Sequence, residues 1–198
     1  SGPSFAMLVA KKKPSAISLA SQNVRLANKI RDLLSNNYFR VYLNKDIIGV
    51  QVNGALKNVL AIAAGMTDGL GFGENARAAI ISRGLLEIEK VSVSLGGKKR
   101  SIMGLSGVGD ILLTCTSSSS RNYYFGQKIG QGFAVRDIIK NKSTVTEGIE
   151  NCKAVYFIKK NIEADTPILD AVYKVVVRNY PIKKIVKDLL SRPLKVES

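Results

Sequence analysis

Lys57 is a cation set inside an apolar helical run, with Val50, Val52, Leu56, Val59, Leu60 and Ile62 around it. An ammonium among such neighbours is costly unless it finds an anion or gives up its proton, and those are the properties of an amine that works as an acid or base. Asn53, Gly54, Lys57 and Asn58 form a polar and small patch in this run, and Gly54, Lys57 and Asn58 share one helical face by their i, i+3, i+4 spacing. A glycine inside a helix costs about 1 kcal/mol against alanine, so something should need to approach closely at Gly54. A lysine snorkelling at the edge of a helix pair accounts for the same pattern.

Two further clusters carry complementary chemistry. Asp110 opens a helical segment after Gly104-Leu-Ser-Gly-Val-Gly, with Thr114 one turn later on the same face. A carboxylate there suits the positive helix end, and simple capping explains it equally. The stretch Thr116-Ser-Ser-Ser-Ser-Arg-Asn122 precedes an aromatic helix. Hydroxyls, a helix start and a guanidinium together suit an anion, phosphate in particular, although a run of serines is also what a flexible linker contains. The sequence therefore offers an amine base, a carboxylate to hold it and a phosphate clamp. No hydride source, metal-ligand set or covalent nucleophile accompanies them, and spacing alone goes no further.

The elements that must position these groups divide the chain in two. Residues 14–20 read as a strand, 21–36 as a helix with Ser21 as N-cap, and 38–43 as a second strand. That is one βαβ unit at the edge of a parallel sheet. After Asn44 only helices are expected. Asp46 to Gly65 is one long run, followed by a glycine-rich turn at Gly69-Leu-Gly-Phe-Gly73, and Asn75 to Leu95 is a second, stopped by Gly96-Gly97. Shorter helices follow near 109–116, 121–130, 135–140, 147–161, 167–178 and 182–191. The fold class expected is mostly α, with 1–44 as a truncated βαβ piece of a parallel sheet and 45–198 as an all-helical domain. Gly69, Gly71 and Gly73 lie between two helices, the wrong setting for a phosphate-cradling loop, and read as a structural turn.

Composition narrows the classes. The 198 residues contain no histidine, which excludes a Ser-His-Asp hydrolase, a His-ligated metal enzyme and a His-based dehydrogenase within this chain. A net charge of +15 draws anions, yet the basic residues are scattered and not interleaved with aromatics, so no nucleic acid is expected as a partner. Cys115 and Cys152 lie in apolar helical stretches and read as reduced core thiols. No apolar stretch reaches the roughly 18 residues of a membrane span, and a cytoplasmic location is expected. An exposed edge on a two-stranded sheet favours self-association, as in a homodimer.

At these residues the sequence resembles the bacterial-type NAD(P)-dependent glycerol-3-phosphate dehydrogenases. The matching stretches are Ser1-Gly-Pro-Ser-Phe-Ala6, Asn53-Gly-Ala-Leu-Lys-Asn58, Gly65 to Arg77, Gly107 to Thr116, Ser120-Arg-Asn122 and Val145-Thr-Glu-Gly148, in family order along nearly the whole chain. The resemblance implies a Rossmann domain followed by an all-helical domain like that of 6-phosphogluconate dehydrogenase. It implies reversible hydride transfer, with NAD or NADP as cofactor, between dihydroxyacetone phosphate and sn-glycerol 3-phosphate for phospholipid synthesis. Carried over by position, Lys57 is the catalytic acid and base, with Arg121 helping to favour its neutral form. Gly2, Ser4, Lys57, Asp110, Ser120, Arg121 and Asn122 bind substrate, and Ala6, Arg121, Val145 and Glu147 bind cofactor. The family's N-terminal glycine loop and a further substrate lysine have no counterpart in these residues. Two alternatives remain open: another lysine-dependent two-domain hydroxyacid dehydrogenase, and a basic nucleic-acid-binding or scaffold domain.

Overall fold

A computed structural model describes residues 1–140, 147–159, 162 and 164–193. A short helix α1 (Ala6–Ala10) precedes strand β1 (Ser15–Ala20), helix α2 (Val24–Leu34) and strand β2 (Phe39–Asn44). The strands pair in parallel with Ser15 opposite Phe39 and Ala20 opposite Asn44, which is the expected βαβ unit. Asn23, not Ser21, caps α2: its side chain accepts the Leu26 N–H at 2.9 Å. Ser21 sits too far upstream for that bond, and its hydroxyl instead accepts the Asn23 N–H at 3.1 Å.

The rest of the described chain is helical: α3 (Ile47–Gly69), α4 (Gly73–Ser94), a 3-10 turn (Lys99–Met103), a π-helical turn (Leu105–Gly109), α5 (Asp110–Thr116), α6 (Arg121–Gly130), α7 (Val135–Lys140), α8 (Glu147–Lys159), α9 (Pro167–Val176) and α10 (Ile182–Leu190). Helix α3 is the axis of the molecule, packing against α4, α5, α6, α8 and α9. It is apolar on nearly every side, the pattern of a helix surrounded by others, and Leu56, Val59, Leu60 and Ile62 are fully buried. Its length and hydropathy would suffice to cross a bilayer, but its apolar side chains are taken up by neighbouring helices.

The start of α3 is fixed by a buried carboxylate. Asp46 accepts the Gly49 N–H at 2.9 Å, the Lys98 N–H at 2.7 Å and the Ser101 hydroxyl at 2.5 Å, tying the cap to the 3-10 turn. Burial works to raise its pKa, but these three donors outweigh it and hold the carboxyl below its ordinary value. At the other end, Gly71 and Gly73 adopt φ of +74° and +82°, left-handed values that make the α3–α4 turn, as the glycine pattern predicts.

Gly65 does not end α3, which continues to Gly69. Its role is contact. Helices α3 and α6 cross through Gly65 and Gly69 on one side and Gly126 and Gly130 on the other. A methyl group at any of the four would land on backbone atoms of the partner helix: Tyr123 O, Gln127 O, Ile62 O or Met66 O. This backbone-to-backbone seam sets α6, and with it Arg121, against the helix that carries Lys57.

Candidate active site

Lys57 lies midway along α3 and its Nζ donates to Asp110 Oδ2 at 2.7 Å. The lysine side chain is 23% exposed and the aspartate side chain 4%, so the pair sits at the floor of the surface. The same Asp110 oxygen accepts the Gly2 N–H at 3.1 Å and the Ser1 hydroxyl at 3.0 Å. Thr114 Oγ1 donates to the Asp110 carbonyl at 2.6 Å and lies 3.5 Å from Oδ1. Asp110 is therefore a junction between the N-terminal stretch, α3 and α5, and capping alone does not describe it. The π-helical turn before it supplies the approach: at Gly107 a Cβ would land on the Ile102 carbonyl oxygen, so only glycine lets the chain fold this tightly into α5.

Gly54 meets the expectation of a close approach. A Cβ there would stand 3.3 Å from Ser1 Oγ, on the face where Ser1 reaches Asp110. Gly2 is more tightly constrained, since a Cβ would fall 2.7 Å from the backbone Cα of Ile17 in β1. Ser4 turns back to donate to the Gly2 carbonyl at 3.0 Å, and Ala6 opens α1 at the surface just beyond.

The Ser-Arg-Asn cluster is divided in its work. Ser120 is buried and caps α6 by accepting the Tyr123 N–H at 3.3 Å. Asn122 is buried and accepts the Gly148 N–H at 3.0 Å, which docks the start of α8. Arg121 alone points outward, and its Nη2 donates to Glu147 Oε1 at 3.3 Å. Asn58, next to Lys57, places its amide nitrogen 3.5 Å from the other Glu147 oxygen. Glu147 thus links α3, α6 and α8 beside the lysine. The partner found for Lys57 is a carboxylate, and Arg121 pairs with Glu147 at 3.3 Å. Val145 lies outside the described residues.

Sequence reasoning misses the Asn58–Glu147 contact and the part of Ser1 in holding Asp110. The i, i+4 spacing of Asp110 and Thr114 was the available signal for Thr114. Both cysteines are unpaired and buried, as the apolar runs predict, and burial pushes the thiols up, Cys152 to about 12.

Residues 46–187 match the family model described as NAD-dependent glycerol-3-phosphate dehydrogenase C-terminus. The chain is 43% identical to a glycerol-3-phosphate dehydrogenase [NAD(P)+] of Chlorobium phaeobacteroides (strain BS1), aligning over 99% of this chain and 59% of that protein. It is 45% identical to the enzyme of the same name from Lacticaseibacillus casei (strain BL23), over 100% of this chain and 56% of that one. The crystal structure of glycerol-3-phosphate dehydrogenase from Coxiella burnetii superposes with a TM-score of 0.92 at 40% identity, covering 97% of this chain and 59% of that one. The chain thus spans less than three-fifths of the length of these relatives, and none of them supports the nucleic-acid-binding or hydroxyacid alternatives. With a lysine and an aspartate joined across α3 and α5 and a matched stretch running from the cap of α3 into α10, the chain belongs to the NAD-dependent glycerol-3-phosphate dehydrogenase family, and residues 46–187 match its C-terminal part.

Proposed function

We propose that these residues form the substrate side of a glycerol-3-phosphate dehydrogenase that interconverts dihydroxyacetone phosphate and sn-glycerol 3-phosphate with NAD or NADP. The observation that carries the reading is the Lys57–Asp110 pair, a partly exposed ammonium held at 2.7 Å by a nearly buried carboxylate. In reduction, Lys57 Nζ gives a proton to the C2 oxygen as the carbonyl becomes an alcohol; in oxidation it takes the proton back. Asp110, itself fixed by the Gly2 N–H and Ser1, holds the amine in place between these steps. The nicotinamide, when bound, supplies or accepts the hydride at C2.

Arg121 anchors the phosphate in this reading. Its side chain is 58% exposed and only one of its N–H groups is engaged by Glu147, leaving a guanidinium edge and the start of α6 for an anion. Ser120 and Asn122 shape that helix start, and Gly2 and Ser4 line the approach from the other side. Arg121 and Glu147 are both more than half exposed, a fit for edge contacts to a dinucleotide. Ala6 and Val145 join them in this assignment. None of these is a pyrophosphate cradle, and no Gly-x-Gly-x-x-Gly follows a strand in the sequence.

We assign residues 1–44 to the end of the dinucleotide-binding domain and 45–198 to the helical domain. A parallel sheet of two strands, with Leu26, Leu33 and Leu34 of α2 exposed, is consistent with a sheet that continues in a complementary half. A cytoplasmic location goes with the two reduced, buried thiols.

The test is an NMR titration of the 198-residue chain with sn-glycerol 3-phosphate and, in parallel, glycerol. The phosphate ester shifts the signals of Lys57 and Arg121 saturably, glycerol does not, and Arg121→Ala removes the response. An Arg121→Ala chain that binds the ester as well as the parent does would reject the phosphate clamp.

A further inference from the structure

Ser1 and Gly2 reach Asp110 from the sheet. Ser1 exchanges two hydrogen bonds with Ser18 of β1, its nitrogen donating to the Ser18 carbonyl at 3.1 Å and its own carbonyl accepting the Ser18 N–H at 2.8 Å. From there its hydroxyl donates to Asp110 Oδ2 at 3.0 Å, beside the Gly2 N–H at 3.1 Å and the Lys57 ammonium at 2.7 Å. Three donors thus meet on one carboxylate oxygen, which offers two lone pairs. On the other side of the carboxyl, Oδ1 has only the Thr114 hydroxyl, at 3.5 Å, among the described residues. With Ser1 and Gly2 in place, the ammonium has one direction left from which to reach Oδ2. The carboxylate that steadies the amine of the helical body is itself steadied from β1.

Helix α3 leaves room for that hydroxyl. Gly54 stands one turn before Lys57, and a Cβ on it would lie 3.3 Å from Ser1 Oγ and 3.8 Å from Ser1 Cβ. Among the described residues, Ser1 is the one residue outside α3 that such a methyl would meet within 4 Å. At 3.3 Å the hydroxyl would have to give way by a few tenths of an ångström, and it would carry its bond to Asp110 with it. Glycine weakens a helix interior relative to alanine, so the bare position is accounted for by the clearance it gives Ser1.

We infer that Ser1 is a positioning residue: held by β1 and cleared by Gly54, its hydroxyl fixes Asp110 and so the direction of the Lys57 amine, which rests on the acid-base role proposed above for Lys57. The link is read first in the 198-residue chain by NMR, where Ser1→Ala shifts the Lys57 Cε signal; an unmoved signal would overturn the assignment. Its effect on turnover is read in an enzyme that joins these residues to a dinucleotide-binding half. There Ser1→Ala lowers kcat by about tenfold, the scale of one hydrogen bond to a charged group. KM for dihydroxyacetone phosphate stays as it was, because the phosphate is gripped elsewhere, at Arg121. Ser1→Thr, which keeps the hydroxyl, retains most of kcat. Gly54→Ala lowers kcat by about threefold in the parent and no further once Ser1 is alanine, the non-additivity of two residues acting through one contact. A loss that falls on KM, a Ser1→Thr enzyme no better than Ser1→Ala, or equal effects of Gly54→Ala in both backgrounds would each overturn the role given to Ser1. Lys57→Ala separates the two levels. If it abolishes turnover while Ser1→Ala leaves kcat intact, the role of Ser1 alone is rejected; if Lys57→Ala itself spares kcat, the acid-base reading is rejected and the role of Ser1 with it.

Discussion

The duties proposed for Lys57 and Arg121 are separable, and substitutions should separate them. In an enzyme carrying these residues together with a dinucleotide-binding half, Lys57→Ala is expected to lower kcat by about 10²–10⁴, the usual worth of a positioned acid or base. Steady-state kinetics with dihydroxyacetone phosphate measure it, and a kcat within a factor of a few of the parent would remove Lys57 from the proton path. Arg121→Lys keeps the charge but loses the planar fork that grips a phosphate, so the expected effect falls on KM, by about tenfold, with kcat less affected. At this scale the sequence was most informative where several weak signals met on one side chain. A cation, a glycine and an asparagine on one face singled out Lys57, and the structure gives that cation a carboxylate. The partners of Asp110 were less accessible, because Ser1 and Gly2 reach it across more than a hundred residues of chain. Ser120 and Asn122, expected to contact substrate, also use their side-chain oxygens on the α6 cap and on Gly148, which the sequence does not show.

Helices were legible wherever apolar periodicity ran unbroken. The bounds of α6 and α7 agree with the periodic segments, whereas α1 is too short to show a period and the π-helical turn before Asp110 hides in a glycine-rich stretch. The glycines of α3 and α6 are legible as small residues, but only three-dimensional packing shows that they face each other. Gly126→Ala should force the seam apart and cost about 1–3 kcal/mol or more, measured as a lower denaturant midpoint. Unchanged stability would mean that the two backbones are not in contact there. A second device at this scale is Glu87 of α4, which is 4% exposed and accepts the Ile168 and Leu169 N–H groups at the start of α9. Burial raises its pKa to about 7, against the pull of those N–H bonds and with help from Asp170 and Asp165. A carboxyl raised in the folded state stabilises fully below its unfolded value near 4.5 and loses that contribution as pH climbs through 7. Glu87→Gln should therefore be the more stable form at pH 8, on the order of 3 kcal/mol at most, and the advantage should vanish near pH 4. Chemical denaturation at the two pH values decides it, and an advantage independent of pH would exclude titration as its cause.

For the whole molecule, the two-stranded sheet bears on turnover. The 198 residues alone are expected to oxidise NADPH or NADH with dihydroxyacetone phosphate at a negligible rate, because no Gly-x-Gly-x-x-Gly follows a strand in them to grip the pyrophosphate. Absorbance at the nicotinamide band follows this directly, and robust turnover by the isolated chain would refute it. The overall division into a βαβ unit and a helical body was readable from the change of period near Asn44. Which helices would touch was not, since an all-round apolar helix such as α3 names no preferred neighbour.

The four-glycine crossing leaves α3 and α6 no room to slide. In the roles proposed for them, the acid-base amine on one and the phosphate anchor on the other would then stand like the jaws of a calliper whose gap has been set and locked. A displacement of about 1 Å at a reacting centre can cost on the order of 10²-fold in rate, so a locked gap measures the span from phosphate to carbonyl. Phosphorylated ketones one carbon longer or shorter between those two points would be gripped at one end and missed at the other, and discrimination by length would arise without any wall to exclude them.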